Sequence, residues 1–276
     1  MGLSQHGTTL VELIVVVVIL GAVAAGAGAF VTGPVQSFVD QSRRAALADS
    51  ADVALRQMSR DIRAALPNSV RVSGNALELL RTVDGDRYRA EPPGDPATRL
   101  VFSAPDDQFN VLGPLGGAGT FSGHHLAIYP LGQPGANPYL DSVMTPVGTV
   151  ITVSGVTGPT GSGTEYRVSL SAAHQFPFDS PGRRVFLVDS AVSYVCENGE
   201  LRRYSGYNFG AAQPNTAADF APDDGALVTN QVASCSWTYQ TLDTAQRDGL
   251  ATLAVVLESK GEQVRLMRQL HVDNVP

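Results

Sequence analysis

The run from Leu13 to Val31, LIVVVVILGAVAAGAGAFV, holds no charged side chain and constrains the fold more than any other feature of the chain. As a helix rising about 1.5 Å per residue it spans roughly 28 Å, close to the hydrocarbon thickness of a bilayer. Core helices of that length carry polar residues on at least one face, and this run carries none. The expectation is a membrane helix. Because the run begins shortly after Met1, it is either a cleaved secretory signal or an anchor that stays attached.

Ala25-Gly26-Ala27 and Ala27-Gly28-Ala29 offer small-x-small cleavage sites, but the leader MGLSQHG has no Lys or Arg to form a positive n-region. An anchor predicts that the helical pattern continues. Across residues 43 to 66, RRAALADSADVALRQMSRDIRAAL, the positions Leu47, Ala51, Ala54, Met58, Ile62 and Ala65 recur at steps of four and three, one stripe on one helix face. Pro67-Asn68 supplies a stop after Leu66. A single helix of about 55 residues, broken or bent near Gly33-Pro34, is the economical reading. Glu12 stands at the membrane edge of this helix. An ionised carboxylate in lipid costs several kcal/mol unless paired, which marks Glu12 as functional; the alternative is an acid of the first turn favoured by the helix dipole.

The basic residues Arg43, Arg44, Arg56, Arg60 and Arg63 are matched by Glu12, Asp40, Asp49, Asp52 and Asp61, so the whole formal net charge of −7 lies beyond residue 66. Such a head does not suit phosphate backbones, and no nucleic acid is expected as a partner. Two cysteines, Cys196 and Cys235, have no zinc-type spacing and fit one disulfide in an oxidising compartment.

From residue 67 the pattern changes to short β-like runs broken by Gly, Pro, Asn and Asp. Strands are expected at 69–72, 77–80, 87–90, 100–102, 126–129, 150–153, 166–170, 185–188, 193–196, 201–204, 233–239, 252–258 and 263–272. Ser259-Lys260-Gly261 predicts an antiparallel hairpin between the last two. No strand-helix alternation appears, so a parallel doubly wound sheet is excluded and the fold class is α+β: a long helix, then an antiparallel, β-rich head.

Gly7-Thr8-Thr9-Leu10-Val11-Glu12 followed by LIVVVVILG resembles the class III signal of type IV pilins and pseudopilins. That resemblance implies cleavage between Gly7 and Thr8 by a prepilin peptidase, methylation of the new terminus and retention of the apolar helix. It also implies that Glu12 pairs with the terminal amine of a neighbouring subunit during assembly. Residues 1–7 are then a leader, 8–66 the pilin helix and 67–276 a periplasmic head, with orientation taken from the resemblance alone. Further segments resemble the MshO-like branch of minor pilins: ALPNSVRV at 65 to 72, LELL at 77 to 80, Arg87-Tyr88-Arg89, FNVLG at 109 to 113, RRVFLVDSAVSYVC at 183 to 196, LRRYSGY at 201 to 207 and QLHVDNVP at 269 to 276. A looser likeness is to PilW-type minor pilins and the pseudopilin J family. The resemblance implies an inner-membrane protein that passes to the pilus tip. Its partners would be other minor pilins and the major pilin through the N-terminal helix, the peptidase and the inner-membrane assembly platform. A minor pseudopilin of type II secretion and a secreted or anchored adhesin-like binding protein are the alternatives.

No catalytic constellation appears, and no enzyme, metal or cofactor is expected. His124-His125, His174 and His271 read as ordinary histidines, while Asp106-Asp107 and Asp223-Asp224 lack calcium-loop spacing. LGPLGGAG at 112 to 119 lacks the Lys-Ser/Thr of a phosphate loop. Tyr204 to Phe209, Tyr-Ser-Gly-Tyr-Asn-Phe, either closes a core or offers an aromatic patch to a sugar or protein.

Overall fold

One helix, α1 (Leu10–Arg63), runs without interruption through Gly33 and Pro34 in a computed structural model of the chain. The structure describes residues 7, 9–91, 98–158, 161–221, 224–241 and 248–276, without the side chains of 27–33, 155–163 and 241. Of the break or bend expected near Gly33-Pro34, the break is absent. Proline removes one intrahelical hydrogen bond, and the neighbouring turns carry the helix through. The far end closes three residues before the expected stop, at Arg63. There the sheet captures the chain: Thr82 donates its backbone N–H to Ala64 at 2.7 Å, and Leu66 donates to Leu80 at 2.7 Å.

Among the described residues thirteen strands follow α1. All their pairings are antiparallel. The larger sheet is built around β2 (Ala76–Arg87) and β8 (Arg184–Glu197), with β1 (Arg71–Ser73) beyond β2. The other edge of β8 forks. Residues 186–188 pair with β5 (His125–Ala127), which leads through β6 (Met144–Gly158) to β7 (Gly161–His174) and β3 (Asp106–Val111). Residues 192–197 pair instead with β9 (Glu200–Ser205), which leads to β10 (Gly225–Asn230). The two-residue β4 (Gly119–Thr120) borders β6. A separate sheet of β11 (Val232–Thr241), β12 (Asp248–Ser259) and β13 (Glu262–Asp273) completes the head.

The stripe read from the sequence faces this scaffold: Leu47, Ala51, Ala54, Met58 and Ile62 are buried and Ala65 is partly buried. They share one core with Leu77 and Leu79 of β2, Val192 and Tyr194 of β8, and Leu253, Val255 and Leu257 of β12. A second core under β3, β6 and β7 is built on Tyr88, Phe109, Val168 and Phe176. Ser259 opposes Glu262 across a turn whose Lys260 and Gly261 have φ of 50° and 84°. That left-handed pair matches the twist of the hairpin expected there.

Several strand expectations need correction. The runs 185–188 and 193–196 are one strand, because Arg81 of β2 neutralises Asp189 at the polar interruption. The 87–90 run is mostly not a strand: β2 continues through Gly85 to Arg87, and Tyr88 makes only an isolated bridge to Val111. Leu100 to Phe102 forms no strand, because the Asp106 carboxylate accepts the Val101 N–H at 3.0 Å and holds a turn. The expected 69–72 strand is displaced to Arg71–Ser73. β3, β4 and β10 were not expected, being polar or glycine-bearing strands whose pairing comes from distant partners.

Candidate functional site

Thr9 is the N-cap of α1, with extended backbone at φ −78° and ψ 150°. Its hydroxyl accepts the Glu12 N–H at 3.4 Å and its carbonyl accepts Glu12 and Leu13 at 3.1 and 3.2 Å. Threonine suits this position because its oxygen satisfies a donor that the first turn leaves free. The cap sets Glu12 in the first turn, where the helix dipole favours a negative charge. Among the described residues the Glu12 carboxylate makes no ion pair or side-chain hydrogen bond. It is exposed, and free to meet a cation from outside the chain. Gly7 is exposed just before the cap, and Thr8 lies outside the described residues.

Among the described residues the N-terminal half of α1 has no partner in the head. Leu10, Ile14, Val17 and Leu20 are between 52% and 75% exposed, and Phe38 is 73% exposed. Burial begins at Leu47. Among the described residues no helix is long and apolar enough to cross a membrane. The expected span of Leu13 to Val31 includes residues 27–31, whose side chains lie outside the description, so its described side chains stop at Gly26.

Residues 3–28 match the family model of the prokaryotic N-terminal methylation motif. The matched stretch contains Gly7, Thr9 and Glu12 and the first part of the apolar helix. The match covers the N-terminal motif alone and supports a type IV pilin-like N-terminus. No curated protein and no solved structure matches the chain.

Within the head the polar residues are mostly spent on holding elements together. Asp61 of α1 accepts from the Tyr194 hydroxyl and from the Arg203 guanidinium, both at 2.7 Å. Burial and the adjacent Asp61 raise the pKa of the Tyr194 hydroxyl, so it stays a donor. In β1 and β2, Arg71 lies opposite Glu78, which is fully buried and also accepts from the Tyr207 hydroxyl at 2.7 Å. The Arg71 guanidinium sits 3.6 Å over the Tyr139 ring and donates to the carbonyls of Gly210 and Ala211 at 2.9 and 3.0 Å. Burial raises the Glu78 pKa, and the hydrogen bonds from Arg71 and Tyr207 oppose the rise. A third pair, Arg89 with Glu165, is buried and joined by the Asn110 amide at 2.9 Å.

The Arg71–Glu78 pair was missed in the sequence although a signal existed. The turn Gly74-Asn75, with Gly74 at φ 57° and Ser73 opposite Ala76, registers Arg71 against Glu78. Asp61 carried no comparable signal, since its partners lie 133 and 142 residues away.

The aromatic segment closes a core. Tyr204 is buried and stacks on Phe220 at 4.0 Å between centroids. Tyr207 is held by Glu78 and Ser193, and Phe209 packs edge-on to Tyr139 and His125. Burial lowers the His125 pKa, favouring the neutral ring. His174 contacts the Ser142 carbonyl at 2.7 Å and the Phe176 ring. Asp106 shapes its own loop, and Asp223 lies outside the described residues. Among the described residues no group of three or more His, Cys, Asp and Glu side chains is placed to hold a metal ion. Cys196 of β8 and Cys235 of β11 are joined in a disulfide that ties the two sheets, with Cα atoms 6.3 Å apart.

Proposed function

We infer that this chain is an MshO-like minor type IV pilin, processed at Gly7-Thr8, held in the bacterial inner membrane with a periplasmic head, and passed to the pilus tip to help start or cap the filament. The observation that carries this reading is the division of α1. One half is bare and apolar, and the other is built into the head's core. A bare apolar helix has two favourable environments, a lipid bilayer and a bundle of like helices. A protein that moves from the first to the second needs no new fold. A head of this size fits best where no further subunit stacks above it, which favours the tip. The work is assembly, and no reaction is assigned to the chain.

The partners in this reading are the other minor pilins and the major pilin through α1, together with the prepilin peptidase and the assembly platform. The test is amino-terminal sequencing of protein made with and without a prepilin peptidase, alongside pilus counts after deletion of the chain. A terminus at Thr8 only with the peptidase, and fewer pili on deletion, are expected. A terminus after Ala27 or Ala29 would instead mark a cleaved secretory signal. Normal piliation with impaired protein secretion would move the chain to the pseudopilins.

A further inference from the structure

The Cys196–Cys235 bridge joins two strands of unequal freedom. Cys196 lies inside the larger sheet, where its N–H donates to the Asn75 carbonyl at 3.1 Å on one side and Leu201 of β9 pairs with it on the other. It is 8% exposed. Cys235 belongs to β11, the edge strand of the smaller sheet, and its strand partner among the described residues is Val255 of β12. It is partly buried, and its neighbours Ser234 and Ser236 are exposed. The β11–β12 register slips between Val232 and Ser234, which leaves Ala233 as a bulge two residues before the cysteine. Bulges disrupt a ladder locally and recur at sheet edges and beside reactive groups.

A groove of about 310 Å³ reaches the bridge and has both cysteines on its lining. Asn75, Glu197 and Asn198 contribute to it from the larger sheet and its turns, and Ala233 and Ser234 from β11. The disulfide is therefore open to a small reactant while the head is folded.

We propose that the bridge is a thiol–disulfide exchange site of the folded head, with Cys235 as the sulfur attacked and a small or peptide-borne thiolate as the reactant. The thiolate forms a bond to the Cys235 sulfur and the bond between Cys235 and Cys196 breaks. Its electron pair leaves on the Cys196 sulfur as a thiolate, which takes a proton from water. A second thiolate of the same kind then attacks the reactant's own sulfur in the mixed disulfide and releases Cys235 as a thiolate. Two reactant thiols have become one disulfide, and the bridge has gained two electrons. With the reactant's disulfide as oxidant, the same steps in reverse close the bridge.

Access selects the sulfur. Reaching Cys196 requires β8 to part from β9 or from the turn at Asn75, whereas Cys235 lies at a sheet edge behind a bulge. Burial raises a thiol's pKa and makes Cys196 the poorer leaving group, which slows the exchange without opening a path to the other sulfur. Opening the bridge does not part the sheets. The Asn75 carbonyl also accepts the Trp237 indole N–H at 3.0 Å, and Val192 and Tyr194 share one core with Leu253 and Val255. The site is a tie that a thiol carrier opens and closes without unfolding the head.

The test treats folded, full-length wild-type protein with 2-mercaptoethanol, a small neutral thiol. Acid quenching, alkylation of the freed thiol and peptide mapping then locate the mixed disulfide. The adduct on Cys235, with Cys196 alkylated, should exceed the reverse arrangement roughly tenfold, and in urea-unfolded protein the two should come within about twofold of each other. Folded protein that gives the unfolded ratio reacts only by opening globally, which overturns the proposal. So does an excess of adduct on Cys196, and so does folded protein that gives no adduct at either sulfur under conditions where the unfolded chain reacts.

Discussion

The carboxylate of Asp61, in the penultimate residues of α1, accepts a 2.7 Å hydrogen bond from the hydroxyl of Tyr194 in β8. The same carboxylate oxygen accepts from Arg203 of β9 at 2.7 Å. One acid therefore fastens the helix to two adjacent strands of the larger sheet, just below the fork of β8. The apolar stripe and the pairs Arg44–Glu262 and Asp52–Arg268 also join α1 to the head.

Replacing Asp61 by Ala leaves the buried Tyr194 hydroxyl and the Arg203 cation without their acceptor. A loss of about 3 kcal/mol in head stability is expected, because stranding buried polar groups costs more than the net worth of the bonds. Asp61→Asn keeps an acceptor oxygen and should lose less. Denaturant unfolding of the two variants checks this; equal stability of Asp61→Ala and wild type would show the joint to be redundant.

The Cys196–Cys235 bridge closes a sequence separation of 39 residues. On the chain-entropy account, opening a loop of that length costs about 4 kcal/mol. The Cys196→Ser/Cys235→Ser variant should shift the unfolding midpoint accordingly. Thiol labelling of denatured wild-type protein should find no free cysteine.

Glu78 gives a pH signature. Burial raises its pKa in the folded head above the ordinary value of 4.5, so the folded state holds this proton more tightly than the unfolded chain does. The stability that proton contributes is fully present below pH 4.5 and is lost as pH rises through the elevated folded value. Asp219 and Glu262 have lowered pKa values, through hydrogen bonds from the Thr216 region and from Arg44 respectively, and act in the opposite sense. The Glu78 contribution is therefore read from the difference between wild type and Glu78→Gln. Urea unfolding from pH 4 to 8 should show wild type losing ground to the variant as pH increases. A difference that is flat with pH would mean that Glu78 keeps an ordinary carboxylate affinity.

Glu12→Ala should leave the head folded and α1 in the membrane, since removing a costly charge cannot weaken insertion. Recruitment into filaments should fall, because a partner cation in a low-dielectric bundle would lose its counter-charge. Head stability, membrane retention and pilus number, measured for both proteins in the same cells, distinguish the effects. Full piliation by the variant would reduce Glu12 to an acid of the first helical turn.

The helix and its motif were legible because their causes are local. The apolar run and the stripe from Leu47 to Ala65 are each set by neighbours within a turn or two. The hairpin at Lys260-Gly261 was legible for the same reason, and so was the antiparallel character of the head. Strand limits failed where a distant partner overrode a local signal. Asp189 looked like the end of a strand until Arg81, 108 residues earlier in the chain, was placed beside it.

The sequence by itself determined a long N-terminal helix with a methylation-type motif, an acidic β-rich head behind it, and a cysteine pair suited to one bridge. Only the tertiary structure decided that β8 forks between two sets of strands, that Asp61 joins the helix to that sheet, and that Glu78 is buried where the Tyr207 hydroxyl reaches it. Helical periodicity and capping act over a few residues and can be read along a chain. Many strand pairings and contacts to buried charges depend on surfaces brought together from distant positions, 108 residues apart for Arg81 and Asp189 and 133 for Asp61 and Tyr194, and those surfaces exist only once the chain has closed on itself.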